Sequence, residues 1–219
     1  MRRLWGVAVL TAASCSPVAT PAPTTPVGAG PEAPVGPDTA GALPPTGYGS
    51  LRQDEFSVEI QDVNMHVKIT PLAESIIRLA APDTYHRLQS LVRSRWDEAV
   101  AMTDAPAAEL FLVSFFSRDP NVSYRPEELR ITHRGRSLQP AGIVPLTTGW
   151  GRQLLQPQQT QSAIYVFEPP FDYDLPVTIR YGMQESDDWH RVVLPRLEEE
   201  RVRVESRSGV RATAGSRTP

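Results

Sequence analysis

Histidines are the residues of this sequence most able to carry chemistry, and they are scattered. His66, His86, His133 and His190 fall on four different predicted elements. No two of them have the spacing that metal ligands adopt within one element. We therefore predict no metal site.

A carboxylate–imidazole site is the catalytic arrangement that the sequence comes nearest to forming. Asp187 and Asp188 lie next to His190, and His133 could join them across loops to make an enzyme site. A polar hairpin turn that leads into a strand explains the same residues more simply. We favour the turn and predict no catalytic residue.

The common cofactor and hydrolase motifs do not occur in the sequence. There is no G-x-S-x-G nucleophile elbow, and Gly149-Trp150-Gly151 lacks the other residues of a phosphate loop. Asp172 and Asp174 suggest calcium, but the third ligand expected from the usual loop spacing is missing. We predict no cofactor.

Aromatic side chains in predicted loops are the candidates for a binding surface. Trp150, Phe171 and Tyr173, together with Arg152, have the residue types that anchor protein interfaces. Glycines on both sides of Trp150 allow a tight turn that presents the indole outward. The same turn could instead pack the indole inward over one end of the fold, and this alternative stays open.

Two β-rich runs form the centre of the predicted fold. Residues 163–167 are continuously apolar, as in a strand covered on both faces, and residues 177–181 alternate between apolar and polar. The runs at 56–60 and 63–69 are out of phase by one residue, which indicates two strands or one bulged strand. We interpret residues 110–116 as a further central strand.

The remaining elements surround these strands. Residues 128–133 alternate and lead into a hairpin turn, and the prolines in 138–146 restrict any strand there to an edge. Residues 82–101 predict a helix, with a proline at its start and apolar residues on one stripe. Residues 72–80 fit either a helix or a strand.

The C-terminal part of the sequence predicts only short elements. We expect a short strand at 189–194, and then either an edge strand or a short charged helix at 198–204. Residues 207–219 are small and polar, which predicts a disordered tail.

The N-terminus has the layout of a secretory signal. Arg2 and Arg3 precede a short apolar segment, and residues 1–14 end at the chain's single cysteine, Cys15. The sequence Ala-Ala-Ser-Cys before and at Cys15 resembles the lipobox of bacterial lipoproteins, although Ala12 stands where that family prefers leucine. The resemblance implies cleavage after Ser14 and lipidation of Cys15.

A proline-rich segment follows Cys15. Residues 15–47 contain two charged residues, Glu32 and Asp38, and too little apolar surface to offset the entropy of the chain. We predict a disordered spacer with polyproline II character. The formal net charge of the whole chain is −3, so bulk charge does not favour a nucleic-acid partner.

These patterns predict a mainly β domain over residues 48–206. The strand count and spacing resemble an immunoglobulin-like antiparallel β-sandwich with one inserted α-helix. The function expected is a non-catalytic binding or assembly module, tethered to the bacterial cell envelope by its lipid and bound to another envelope protein. The alternatives are the loop-built enzyme described above and a carrier of small hydrophobic ligands with a pocket beside Trp96.

Overall fold

The computed structural model describes residues 43–105 and 107–215, with side chains as far as residue 209. This part of the chain is mostly β, with antiparallel sheets and a long C-terminal helix. The predicted signal peptide, Cys15 and residues 15–42 of the predicted spacer lie outside the described residues. Residues 43–47 of that spacer form neither helix nor strand.

The strands and helices follow one another along the chain in this order. The first half contains β1 (Val58–Asp62), β2 (Met65–Pro71), α1 (Glu74–Ile77), α2 (Pro82–Val100), β3 (Glu109–Phe116), β4 (Val122–Ser123) and β5 (Leu129–His133). The second half contains β6 (Arg136–Leu138), β7 (Gly142–Pro145), β8 (Leu154–Leu155), β9 (Thr160–Phe167), β10 (Val177–Tyr181), β11 (Gln184–Ser186) and α3 (Leu194–Gly215). Short 3-10 helices lie at Gln53–Phe56, Pro126–Glu128 and Trp150–Arg152.

The larger sheet has five strands in the order β1-β2-β3-β9-β7, and every pair is antiparallel. β3 and β9 pair with each other inside this sheet, and each is an apolar run that the sequence predicts as a central strand, whereas β10 lies in the other sheet. The out-of-phase runs are two strands, β1 and β2, joined by a turn at Val63 and Asn64. β7 lies at the edge, as predicted from the prolines in residues 138–146.

The smaller sheet has the order β11-β10-β5-β6, again antiparallel, and β4 pairs with β8 in a separate two-stranded ribbon. Side chains of the two larger sheets meet in one core. The ring centroid of Phe115 in β3 lies 5.5 Å from that of Tyr181 in β10. The Tyr165 hydroxyl of β9 donates to the Pro126 carbonyl oxygen, at 2.9 Å, just before β5.

Helix α2 confirms the predicted helix within one residue of its end. Pro82 occupies the first turn, where its missing N–H costs nothing. Tyr85, Leu88 and Ala99 are buried along the predicted stripe, and Val92 and Trp96 pack half-buried against the core. The helix contacts β7 and β9, on the face of the larger sheet opposite the smaller sheet.

At the C-terminus the predicted strand at 189–194 is wrong, whereas the helix that the sequence allowed at 198–204 is confirmed as part of a longer helix. In place of a strand at 189–194, a π-helical turn at Trp189–Val193 leads directly into α3, which continues to Gly215 through most of the predicted tail. Trp189, Val193, Leu197 and Val204 are buried. Their spacing is helical, so one continuous helix can pack all four against the core.

A buried carboxylate ties α3 to the start of the folded domain. Glu200 is fully buried, and it accepts a hydrogen bond from the Ser50 hydroxyl at 2.7 Å. Arg203 and Arg207 pair with the same carboxylate at 3.2 and 3.1 Å. Arg207 also donates to the Tyr48 carbonyl oxygen, at 2.8 Å. This charge is therefore compensated, and the contacts hold the long helix in place.

Among the helices in the described ranges, none combines the length and apolar character needed to cross a membrane.

Candidate functional site

The candidate site is a groove on the outer face of the larger sheet, the face that α2 covers only in part. Outward side chains of β3 and β9 change from apolar to polar along the strands, in register. Leu112 is paired with Ile164, and both are buried; the next outward pair is Ser114 with Ser162, and then Phe116 with Thr160. The helix covers the apolar part, and the polar part stays open.

The open part forms a groove of about 420 Å³. Its lining comes from four strands and the segment after β3, and consists of Glu59, His66, Val67, Lys68, Ser114, Phe116, Arg118 and Thr160. The volume lies in the range of roughly 300–1,000 Å³ that is usual for small-molecule sites. We call this site the outer-face groove.

Two cations and one carboxylate set the charge of the outer-face groove. Lys68 Nζ lies 2.8 Å from Glu59 Oε1 in an exposed cross-strand pair. Arg118 is exposed, and within the described residues its guanidinium has no hydrogen bond or ion pair. The groove therefore presents a cation that is ready to bind an anionic group.

The aromatic and hydroxyl groups of the groove come from β2, β3 and β9. Phe116 is half-buried, and its ring centroid lies 6.3 Å from that of His66 at an interplanar angle of 51°. The Ser114 and Ser162 hydroxyls are 2.9 Å apart across the strands. In such a pair one hydroxyl donates its proton to the other, and the accepting hydroxyl can still donate its own proton to a ligand.

Trp150 is packed inward, so the exposed orientation left open by the sequence is wrong. The indole is only 8% exposed and contacts the rings of Phe115, Tyr124 and Tyr165 at centroid distances of 5.8, 5.3 and 6.5 Å. Gly149 has a left-handed φ of 96°, and this turn directs the indole into the core.

Phe171 and Tyr173 are buried as well, at 3% and 7% exposure, which corrects their selection as surface anchors. Phe171 stacks on His133 with centroids 4.5 Å apart, and the Tyr173 hydroxyl donates to Glu109 Oε2 at 2.9 Å. A buried ring cannot contact a partner without unfolding its surroundings. Of the four predicted binding residues, Arg152 is the exposed one.

The carboxylate–imidazole site is not assembled. His190 Nε2 lies 4.0 Å from Asp187 Oδ2. His133 instead accepts a hydrogen bond at Nε2 from the Asp172 backbone N–H, at 3.2 Å. In the described part of the chain, no hydrogen bond or ion pair joins His133 to Asp187 or His190.

The two carboxylates that suggested a calcium site form ion pairs with arginines. Asp172 pairs with Arg134 at 2.9 Å, and Asp174 pairs with Arg201 at 2.8 Å. Across residues 43–105 and 107–215, no group of three His, Cys, Asp or Glu side chains is arranged to hold a metal ion.

Between the two larger sheets, side chains that include Phe171, Tyr173 and Trp189 line an apolar crevice that has no room for a water molecule. It is lined by neither Trp96 nor any other residue of α2. This space is therefore not the pocket expected of a hydrophobic-ligand carrier.

Comparisons with protein-family models, curated proteins and solved structures gave no significant match to this chain.

The groove residues were not selected from the sequence, although a signal was present. His66 and Lys68 alternate with buried residues in β2, which marks them as outward-facing. Ser114 is the single polar residue in the apolar run of β3. The two observations could be joined only once the register of β2, β3 and β9 was known.

His133 predicts a loss of stability in acid. Burial lowers the pKa of its imidazole, and the nearby Arg134 lowers it further, while Asp172 opposes them. The unfolded chain then binds more protons than the folded chain below the ordinary histidine pKa of about 6.5, so stability falls as the pH decreases through that value. Protonation would also place a proton on Nε2, where the Asp172 N–H now donates.

This pH dependence can be measured as the free energy of unfolding between about pH 5 and pH 8. We expect the His133→Asn variant to show a shallower slope than the wild type over that range. His86→Asn removes an exposed histidine and should keep the wild-type slope. Identical slopes for wild type and His133→Asn would show that His133 does not cause the acid effect.

Proposed function

We propose that this protein is a lipid-anchored component of the bacterial cell envelope whose folded domain is a non-catalytic binding module. In this proposal residues 1–14 direct export, Cys15 carries the lipid, and residues 15–47 form a disordered spacer. The order of basic residues, short apolar segment, small residues and cysteine supports the anchor.

The domain is best interpreted as an immunoglobulin-like β-sandwich. Two antiparallel sheets with side chains packed between them support this assignment, as does the all-antiparallel pairing. Helix α2 is the inserted element, because it lies between β2 and β3 in the chain and packs on the outside of the sheet.

The observation that carries the binding function is the outer-face groove. A sheet face with an accessible aromatic ring, hydroxyl groups and an arginine that has no partner among the described residues has the composition of a recognition surface. From the sequence, we expect the partner to be another component of the envelope, in the first instance a protein. The exposed Arg152 is a second point where such a protein could bind.

The anchor is tested by substituting the cysteine in the full-length chain expressed in a bacterium. We expect the wild-type protein to fractionate with membranes and to carry acyl chains on Cys15, as shown by mass spectrometry of its N-terminal peptide. Cys15→Ser should carry no acyl chain and should leave the membrane fraction or accumulate uncleaved, since a hydroxyl cannot form the thioether.

Ser16→Ala changes the neighbouring residue without removing the thiol, and it should be acylated like the wild type. A mature N-terminus downstream of Cys15, or acylation of Cys15→Ser equal to that of the wild type, would contradict the proposal.

A further inference from the structure

We infer that the outer-face groove binds an acidic saccharide, a sugar ring that carries a carboxylate. This inference rests on the proposed function as an envelope binding module, and it assigns a saccharide, in place of a protein, to the groove. The argument uses the floor of the groove, its aromatic ring, its hydroxyl groups and its charge.

The strands that carry most of the groove lining, β2, β3 and β9, have a paired strand on each side, whereas β1, which contributes Glu59, is an edge strand of the sheet. β2 pairs with β1 and β3, β3 pairs with β2 and β9, and β9 pairs with β3 and β7. A peptide that binds by adding a strand needs an unpaired edge, and β2, β3 and β9 present none. At Ser114, Phe116 and Thr160, recognition therefore depends on side chains, as it does for ligands without a peptide backbone.

Phe116 provides a platform for a sugar ring. Its half-buried ring forms part of the groove lining, and the His66 ring is inclined to it. One face of a pyranose carries several C–H groups with slight positive charge, and these pack well on the negative face of an aromatic ring. A polar ligand with an apolar face is thus matched by an apolar ring with polar neighbours.

The hydroxyl groups beside this platform suit the sugar hydroxyls. Thr160 is exposed directly across from Phe116 in the strand register, and Ser114 lies one outward position further along β3. Each side-chain hydroxyl both donates and accepts, which is what a sugar hydroxyl needs from its partners.

Charge selects the carboxylate. Arg118 lines the groove two residues after Phe116 and has no partner among the described residues, whereas Lys68 is already paired with Glu59. An arginine can hold a carboxylate through two parallel hydrogen bonds. A neutral sugar would leave this guanidinium unused, so an acidic sugar fits the groove better.

The test is isothermal titration calorimetry on the full-length chain in nonionic detergent. Three probes separate the possible sources: an oligogalacturonate, a glycan strand of alternating N-acetylglucosamine and N-acetylmuramic acid, and a neutral chitooligosaccharide. We expect one or both acidic probes to bind at least about tenfold more tightly than the neutral one, the effect of one good charge-assisted contact. The acidic probe that binds identifies the source as a uronic-acid polysaccharide or the cell wall.

Variants assign the binding to the groove. Arg118→Gln should weaken the acidic probes by about tenfold or more and leave the neutral probe unchanged. Phe116→Leu keeps an apolar side chain but removes the ring, and it should weaken all three probes. Arg136→Gln changes an exposed arginine on β6 of the other sheet and should alter no affinity. Thermal unfolding of each variant verifies that it is folded.

The inference is overturned if neither acidic saccharide binds, or if binding is the same in wild type, Arg118→Gln and Phe116→Leu. Binding of a glutamate-rich peptide in place of the saccharides, with the same sensitivity to Arg118→Gln, would show that the groove serves a protein. Because the assay is done in detergent, its result is independent of lipidation at Cys15. If the protein is acylated but binds no saccharide, the anchor proposal remains supported and the saccharide inference fails. If it binds the saccharide but is not acylated, the saccharide inference remains supported and the anchor proposal fails.

Discussion

Phe115→Ala is expected to lower the free energy of unfolding by about 3–5 kcal/mol, the range for removing a large buried aromatic ring. Phe115 has no exposed surface and points into the core from β3. Its ring stacks on Tyr124 with centroids 4.7 Å apart and contacts Trp150 and Tyr181 at 5.8 and 5.5 Å. Truncation leaves a cavity that these three large rings can fill only by leaving their own contacts.

The matched control is the next residue, Phe116, which has the same side chain on the opposite face of β3. Phe116 is half-buried, and among the described residues its ring contacts that of His66. Phe116→Ala should therefore cost about 1 kcal/mol, the typical value for a single substitution. Both values come from chemical denaturation, as a shift in the midpoint at constant slope. Equal losses at the two positions would show that β3 does not direct one ring inward and the other outward.

Trp150→Ala is expected to cost a similar amount, about 3–5 kcal/mol, because the indole closes one end of the core. It contacts Phe115, Tyr124 and Tyr165, which come from three separate segments of the chain. The Tyr124 hydroxyl also donates to the Trp150 carbonyl oxygen at 3.1 Å, a bond that the substitution does not remove directly. The expected loss is therefore one of side-chain packing.

Arg152→Ala, in the same 3-10 helix, changes an exposed side chain and should leave stability within about 0.5 kcal/mol of the wild type. Combining Phe115→Ala with Trp150→Ala should give a loss different from the sum of the two, since residues in contact are coupled. If Trp150→Ala is as stable as the wild type, the indole does not contribute to the core, and the hypothesis that it anchors an interface is favoured.

The sequence predicts well those elements whose local pattern is compatible with only one type of secondary structure. The apolar runs that became β3 and β9 are too short for most helices and too apolar for a surface strand, so central strands were the consistent interpretation. Helix α2 was bounded by Pro82 and carried a stripe with helical spacing. Neither conclusion needed distant parts of the chain.

The exposure of the candidate binding residues could not be predicted in the same way. The sequence makes Trp150 and Arg152 candidates for a binding surface and leaves the direction of the indole open. The structure buries Trp150 and exposes Arg152, because the direction of the Gly149 turn depends on the rings that receive the indole. Phe171 and Tyr173 were placed in a loop correctly, but a loop that packs on Phe111 buries its aromatic residues. Loop position alone does not determine exposure.

The C-terminal helix shows the same limit in secondary structure. Val202 and Val204 alternate with arginines, which imitates an edge strand over a short window. Only Val204 is buried, and Val202 is 64% exposed, as expected for a helix that packs along one stripe. The full stripe from Trp189 to Val204 becomes evident when the core that receives it is known.

The sequence by itself determined the β character of the domain, its central strands and helix α2, and it predicts a lipoprotein-like signal at the N-terminus. Each of these depends on residues close together in the chain, where period and steric preference are decisive. Only the tertiary structure decided the inward packing of Trp150, the length of α3 and the position of the outer-face groove. These depend on strand register and on which face the helix covers, and such contacts join residues that the sequence keeps far apart.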